Sequence, residues 1–213
     1  MGFNLEAIRE VLAVSKRMDE KNLVNTLEGN ISCKKDGLIY LTPTSQNKGL
    51  LTEDMIAVLN LDGEWVGGSC KPTSESPMHR ITYTIRDNIG GVVHCHAPYL
   101  TAFALTNQPV ECFSYPELMG NFDTIPVAPY GRPGTDDIIN NARELLLTHD
   151  IVLLGNHGAL AVGKTVTDAM NKMEAAEAIA KVVYLTNTMG GATPIPQEDV
   201  EFFKAVNAEK FKK

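Results

Sequence analysis

The run Gly90-Gly91-Val92-Val93 leading into His94-Cys95-His96 constrains this chain more than any other stretch. It reads as a buried β-strand, and Ala97-Pro98 ends it. Strand side chains alternate faces, so residues i and i+2 share one face about 7 Å apart. His94 and His96 therefore project together and can reach one divalent ion, while Cys95 points to the opposite face. The chain has 5 histidines, so two within three positions is a concentration. Taken alone, the pair is as compatible with a polar pair on a strand face as with a metal site.

The bulk of the chain fits a globular protein read as one domain over residues 1–213, with 44% hydrophobic and 21% charged residues. Such a length can bury a sizeable core without disulfides. The net charge of −7 argues against nucleic acid, whose phosphates need a basic face. A small anionic substrate stays open if local donors and a cation offset the field. Cys33, Cys70, Cys95 and Cys112 lie far apart with no CxxC spacing, which points to reduced thiols and a cytoplasmic protein. The start shows no basic region followed by an apolar core, and no apolar run approaches the roughly 18 residues of a membrane span.

No internal repeat or linker-like segment breaks the pattern. Asn4 can cap a helix to about residue 21, with Leu5, Ile8, Leu12 and Met18 as its apolar stripe. Residues 30–33 and 37–41 pair as strands around Lys35-Asp36-Gly37, and 55–60 and 64–67 around Leu61-Asp62-Gly63. A helix is expected over 74–88, capped by Ser74, followed by the histidine strand and a short helix after Pro98. Further expectations are a strand at 124–127, a helix over 135–149, strands at 151–154 and 158–162, and a long helix from Thr165 to about 189. A last helix covers roughly 197–210. Hairpins mixed with helices predict an α/β fold whose central sheet is mainly antiparallel or mixed, with helices on both faces.

Chemistry-bearing residues recur outside the histidine strand. His157 follows a short apolar strand in Leu154-Gly155-Asn156-His157-Gly158, and Glu75 sits at a loop-to-helix junction. Three histidines with an exchangeable carboxylate or water form a usual open catalytic zinc shell. Separately, His157 is equally a structural histidine, and Glu75 equally a complement to a helix dipole. His79 and His149 read as structural or surface residues. The loops Glu28-Gly29-Asn30-Ile31-Ser32 and Leu41-Thr42-Pro43-Thr44-Ser45, with Thr73-Ser74, offer hydroxyls and backbone N–H groups to an anion, or are plain turns. No GxGxxG, P-loop, Gly-x-Ser-x-Gly or His-Glu-x-x-His pattern occurs.

Gly29-Asn30-Ile31-Ser32, Leu41-Thr42-Pro43-Thr44, Lys71-Pro72-Thr73-Ser74-Glu75, Val92-Val93-His94-Cys95-His96-Ala97 and Asn156-His157-Gly158 occur in one order. With Ala128-Pro129-Tyr130 and Gly134-Thr135, the chain from about residue 5 to 188 resembles the class II aldolase/epimerase family, its fuculose-phosphate aldolase branch most of all. The resemblance implies a three-layer fold and one zinc ion per subunit held by His94, His96 and His157. Glu75 would be a fourth ligand that swings away to act as acid/base, with a carboxyl pKa raised by enclosure. Gly29, Asn30, Thr44, Ser45, Thr73 and Ser74 map onto phosphate-binding positions. Tyr115 matches a tyrosine that reaches in from a neighbouring subunit of a fourfold tetramer.

The implied activity is cleavage of a ketose 1-phosphate to dihydroxyacetone phosphate and an aldehyde through an enediolate. L-Fuculose 1-phosphate is the first candidate and a shorter deoxyketose phosphate the next. An epimerase or dehydratase of the same family is the alternative, although Glu75 stands where the epimerases carry Asp. An adducin-like scaffold is the non-enzyme alternative, and its relatives generally lack the histidines. Ser45 replaces a common glycine, Glu28 adds a negative charge beside the phosphate loop, and no tyrosine follows Tyr184. The segment of about 191–213 is a candidate cover over the site.

Overall fold

The histidine strand lies near the middle of an eight-stranded sheet in the computed structural model, which describes residues 2–211. In chain order the elements are α1 (Leu5–Glu20), β1 (Asn30–Lys35), β2 (Leu38–Leu41), β3 (Ala57–Asn60), β4 (Trp65–Gly67) and α2 (Ser76–Thr82). Then come β5 (Gly91–Cys95), α3 (Pro98–Leu105), α4 (Pro116–Phe122), β6 (Val127–Ala128), α5 (Asp137–Asn140) and α6 (Arg143–Leu146). β7 (Ile151–Leu154), β8 (Gly158–Gly163), α7 (Val166–Thr188) and α8 (Gln197–Ala208) complete the order. The strands lie as β4-β3-β2-β1-β5-β8-β7-β6. Every pairing is antiparallel except β6 with β7, giving the expected mixed sheet.

Strand alternation divides the interior into two layers. Val93 and Cys95 of β5, Ile31 and Cys33 of β1, and Ala159 and Ala161 of β8 pack against α1, α3, α4 and α7. Val92 of β5, Ile39 and Leu41 of β2, and Leu160 and Val162 of β8 pack against α2, α5 and α6. Burying each such aliphatic side chain contributes about 1.5–3 kcal/mol, so neither face of the sheet can stay open to water. Gly91 shows how close the cover sits: a Cβ there would lie 2.2 Å from the Val166 backbone nitrogen at the start of α7.

Sequence-based expectations and structure part company in the helices. Asn4 does cap α1, its Oδ1 accepting from Ala7 N at 3.1 Å. The buried stripe, however, is Ala7, Ile8, Val11, Val14 and Met18, and Leu5 is exposed. The helix expected over 74–88 is only the seven residues of α2, with Glu75 rather than Ser74 at its cap position. Ile81, Thr82, Thr84 and Ile85 are β-branched, and over them the chain tightens into i→i+3 bonds, Thr84 N to Ile81 O and Ile85 N to Thr82 O. The helix expected over 135–149 is interrupted at Asn141-Ala142. There Asn141 keeps helical angles, φ −68° and ψ −25°, while Ala142 N donates to Ile139 O in a tighter i→i+3 bond and Asn141 Nδ2 donates to Tyr130 O. The strand expected at 124–127 is shorter and later, the two-residue β6 at Val127–Ala128. Thr165 caps α7 through Asp168 N as expected.

After α7 the chain returns to pack α8 beside α4. Val200 is buried, and Lys210 Nζ donates to Gly120 O and Asn121 O. No helix among the described residues is long and apolar enough to cross a membrane.

Candidate metal centre

β5 delivers His94 from within the sheet, on the face opposite Cys95. His94 is fully buried and lies directly across from Asn30 of β1 and Leu160 of β8. His96 stands one residue past the strand end. His157 comes from the β7–β8 hairpin, whose loop Gly155-Asn156-His157 turns through Asn156 at φ +57°. Their ring centroids lie 5.1 Å (His94–His96), 4.7 Å (His94–His157) and 4.8 Å (His96–His157) apart. Gly158 makes the approach possible, since a Cβ there would lie 2.7 Å from His96 Cδ2.

Glu75 closes the group from the start of α2. Its Oε2 is 3.5 Å from His94 Nε2 and its Oε1 3.6 Å from His157 Nε2. His94 Nδ1 donates to Ala159 O at 2.9 Å, which leaves the Nε2 lone pair for the site. His96 turns Nδ1 toward Glu28 Oε1 at 3.4 Å. His94 Nε2, His96 Nε2, His157 Nδ1 and Glu75 Oε1 are buried without a hydrogen-bond partner among the described residues. Buried polar atoms are nearly always paired, so orphans on four clustered side chains mark a missing partner. One donor atom from each histidine lies within 4.8 Å of the others, a set that could hold a metal ion. Imidazole nitrogens beside a carboxylate suit a divalent transition ion.

The electrostatics favour neutral ligands. Burial lowers the His94 imidazole below its usual range, against the pull of Glu75. Burial, then His94, takes His157 down to about 4. A raised Glu75 pKa, expected from enclosure, is not what the resting geometry gives. Burial pushes it up, but His94, the Asn30 N–H and His157 outweigh burial and hold the carboxyl below the ordinary value. Cys95 is pushed up to about 12 by burial, in keeping with a core thiol on the other face.

The anion-binding candidates converge on the same end of the sheet. A bridge between Pro43 and Pro72 lays one loop on the other, with Thr44 N donating to Lys71 O and Thr73 N to Thr42 O. Thr73 is buried, whereas Ser74 and Ser45 are exposed. Ser45 adopts φ +53°, the left-handed region that favours glycine. Gly29 sits against the backbone of His94, and Asn30 Nδ2 donates to Glu75 Oε2 at 2.7 Å. Tyr115 caps α4 half-buried, its ring packed against the layer of α1, α3 and α7. His149 stays apart, bonded to Leu145 O and Thr148.

Three polar residues lie behind the site: sequence reasoning reads His79 as structural or surface and Ser32 as part of an anion loop, and gives Tyr83 no part. His79 and Ser32 are fully buried and Tyr83 nearly so, and they bond to one another and to Asn30. The signal was present in the spacing: Glu75, His79 and Tyr83 recur at i, i+4, and Asn30 and Ser32 at i, i+2.

Residues 9–184 match the family model described as the class II aldolase and adducin N-terminal domain. An L-fuculose phosphate aldolase of Methanococcus maripaludis is 32% identical over 182 residues, spanning 85% of this chain and 98% of that protein. A 5-deoxy-D-ribulose 1-phosphate aldolase of Bacillus thuringiensis is 31% identical over 90% of this chain and 91% of its own length. A 3-oxo-tetronate 4-phosphate decarboxylase of Escherichia coli is 29% identical over 83% and 85% of the two chains. Among solved structures, an L-fuculose 1-phosphate aldolase superposes with a TM-score of 0.87 at 30% identity, covering 99% of this chain and 98% of that one.

Proposed function

As a member of the class II aldolase and adducin N-terminal domain family, to which this chain belongs, we propose that it is a zinc-dependent aldolase cleaving a short ketose 1-phosphate to dihydroxyacetone phosphate and an aldehyde. The observation that carries this reading is the orphaned donor set of His94, His96 and His157 with Glu75 at 3.5–3.6 Å. When bound there, a divalent ion supplies the positive charge that stabilises an enediolate at the cleaved bond. An adducin-like scaffold has no use for such a set.

The residues of this chain divide the remaining work. Cleavage between C3 and C4 leaves the bonding pair on the three-carbon phosphate, and C3 then needs a proton. Glu75 is our candidate for that transfer. At rest it is a carboxylate, held so by His94, Asn30 and His157. Moving off those partners leaves burial as the dominant influence, which favours the protonated form a general acid requires. Gly29, Asn30, Thr44, Ser45, Thr73 and Ser74 would bind the phosphate through N–H and hydroxyl donors. Tyr115, contributed by a neighbouring subunit of a homotetramer, would exchange the proton of the C4 oxygen, which the C4 hydroxyl gives up as the aldehyde forms and takes back in the reverse addition.

The decarboxylase relative supports a second reading, because loss of carbon dioxide from a 3-oxo acid phosphate passes through the same kind of anion. The deciding experiment is a screen of the metal-loaded protein on L-fuculose 1-phosphate, 5-deoxyribulose 1-phosphate and 3-oxo-tetronate 4-phosphate. Aldehyde and carbon dioxide are measured separately, with metal content in parallel. Chelator-sensitive aldehyde release is the expected result. Carbon dioxide without aldehyde would move the protein to the decarboxylases, and inactivity on every ketose phosphate would end the aldolase reading.

A further inference from the structure

Behind Glu75 runs an unbroken ladder of short hydrogen bonds between α2 and β1. Asn30 Nδ2 to Glu75 Oε2 is 2.7 Å, His79 Nε2 to Asn30 Oδ1 2.5 Å, Ser32 Oγ to His79 Nδ1 2.7 Å, and Tyr83 OH to Ser32 Oγ 2.7 Å. The pitch explains how it forms. Four helical residues rise about 6 Å and two strand residues about 6.6 Å, so side chains from the two elements interleave rung by rung. Ser32 and His79 are 0% exposed and Asn30 3%, so water cannot substitute for a rung.

The direction of every bond follows from its first member. An ionised carboxylate only accepts, so Asn30 must turn Nδ2 to Glu75 and Oδ1 to His79. A carboxamide oxygen also only accepts, so His79 carries its proton on Nε2. The ring is neutral, because burial lowers it to about 3. Nδ1 is then an acceptor, so Ser32 donates to it and takes the Tyr83 proton in turn. Tyr83, Ser32 and His79 thus hold one flip state of one amide.

We propose that His79 is a positioning residue that locks the Asn30 carboxamide with its N–H face toward the site, for Glu75 at rest and for the substrate's phosphate once Glu75 moves. The phosphate half of this rests on the reading of Asn30 given above. Both occupants are anions, and a flipped amide would present a carbonyl oxygen to either. Among the described residues, no other contact of the Asn30 side chain distinguishes its two flip states.

Two measurements test the lock. Long-range proton–nitrogen NMR on 15N-histidine-labelled wild-type protein, assigned with His79→Gln, reads the tautomer. The Nε2–H form is expected, and an Nδ1–H or doubly protonated ring at pH 7 would overturn the proposal. Binding of inorganic phosphate to the metal-loaded protein is then compared among wild type, His79→Leu and His79→Gln. Loss of a donor to a charged group predicts about 10-fold weaker binding for His79→Leu. In His79→Gln an amide N–H can replace Nε2–H and restore binding to within about 3-fold. Equal losses in two folded variants, no loss in His79→Leu, or no phosphate binding by wild type would each defeat it. If His79→Leu does not fold, the wild-type tautomer still decides. Neither measurement needs turnover, so failure of the aldolase reading would show separately, in the substrate screen.

Discussion

Glu75 stands between opposing influences, burial on one side and His94, Asn30 and His157 on the other, and it is the residue on which chemistry and metal binding can be separated. Glu75→Gln keeps a similar shape and the Asn30 contact but cannot carry a proton. It should retain the bound ion while turnover falls about 100- to 10,000-fold, the range for a lost general acid/base. Near-normal activity with full metal content would remove Glu75 from the proton transfer. Glu28 tests a subtler effect. A carboxylate behind a ligating imidazole usually adds 10- to 100-fold in metal affinity. Its 3.4 Å distance from His96 Nδ1 and its 36% exposed side chain place Glu28 at the lower end. Glu28→Gln should therefore weaken metal binding about 10-fold in a competition titration with a chromogenic chelator, and unchanged affinity would make Glu28 a bystander. The sequence placed Glu28 beside the phosphate loop. Only the fold could show that its carboxylate turns to a histidine nearly 70 positions away.

At the level of elements, the strands were the legible part and the helix ends were not. Short apolar runs, buried on both faces in β5, β7 and β8, and turns such as Asp36-Gly37 mark strands locally, because both signals live within a few residues. Where a helix stops depends on what its side chains find elsewhere. At Ala142 the chain tightens to an i→i+3 bond with Ile139 O, a change that the spacing of apolar residues does not mark. α3 is a further case. Its cap residue Ala97 offers no side-chain acceptor, and the N–H groups of Tyr99 and Leu100 are instead taken by Glu177 from α7, at 3.0 and 2.9 Å. That cap anchors the helix that begins two residues after His96. Glu177→Ala strips both N–H groups of their partner and should cost about 1–2 kcal/mol, as other lost caps do. In a chain of this size that lowers the melting temperature by about 2–8 °C. A calorimetric scan showing no shift would mean that solvent caps α3 as well as Glu177 does.

The whole molecule carries a consequence of burying imidazoles around a cation site. His79 falls to about 3 and His157 to about 4 in the fold, and His94 is lowered too, all chiefly by burial. In the unfolded chain each returns to the ordinary value near 6.5. Between those values the unfolded state binds protons that the native state refuses, so stability is full above about pH 6.5 and declines as the pH drops toward 3–4. His79 alone contributes a slope of about 1.4 kcal/mol per pH unit, against a typical total of 5–15 kcal/mol. The ion acts in the same direction, since it binds only neutral imidazoles and adds about 2.7 kcal/mol when its concentration is 100 times its dissociation constant. Urea denaturation of chelator-treated and zinc-loaded protein should therefore give curves that both fall from pH 7 to pH 5. The gap between them should narrow as protons displace the ion. His79→Gln, lacking one of the titrating rings, should lose about one proton's worth of that slope in the chelated protein. A chelated midpoint that stays flat over this range would mean the rings keep their ordinary protonation. The site would then be less closed to water than its geometry indicates.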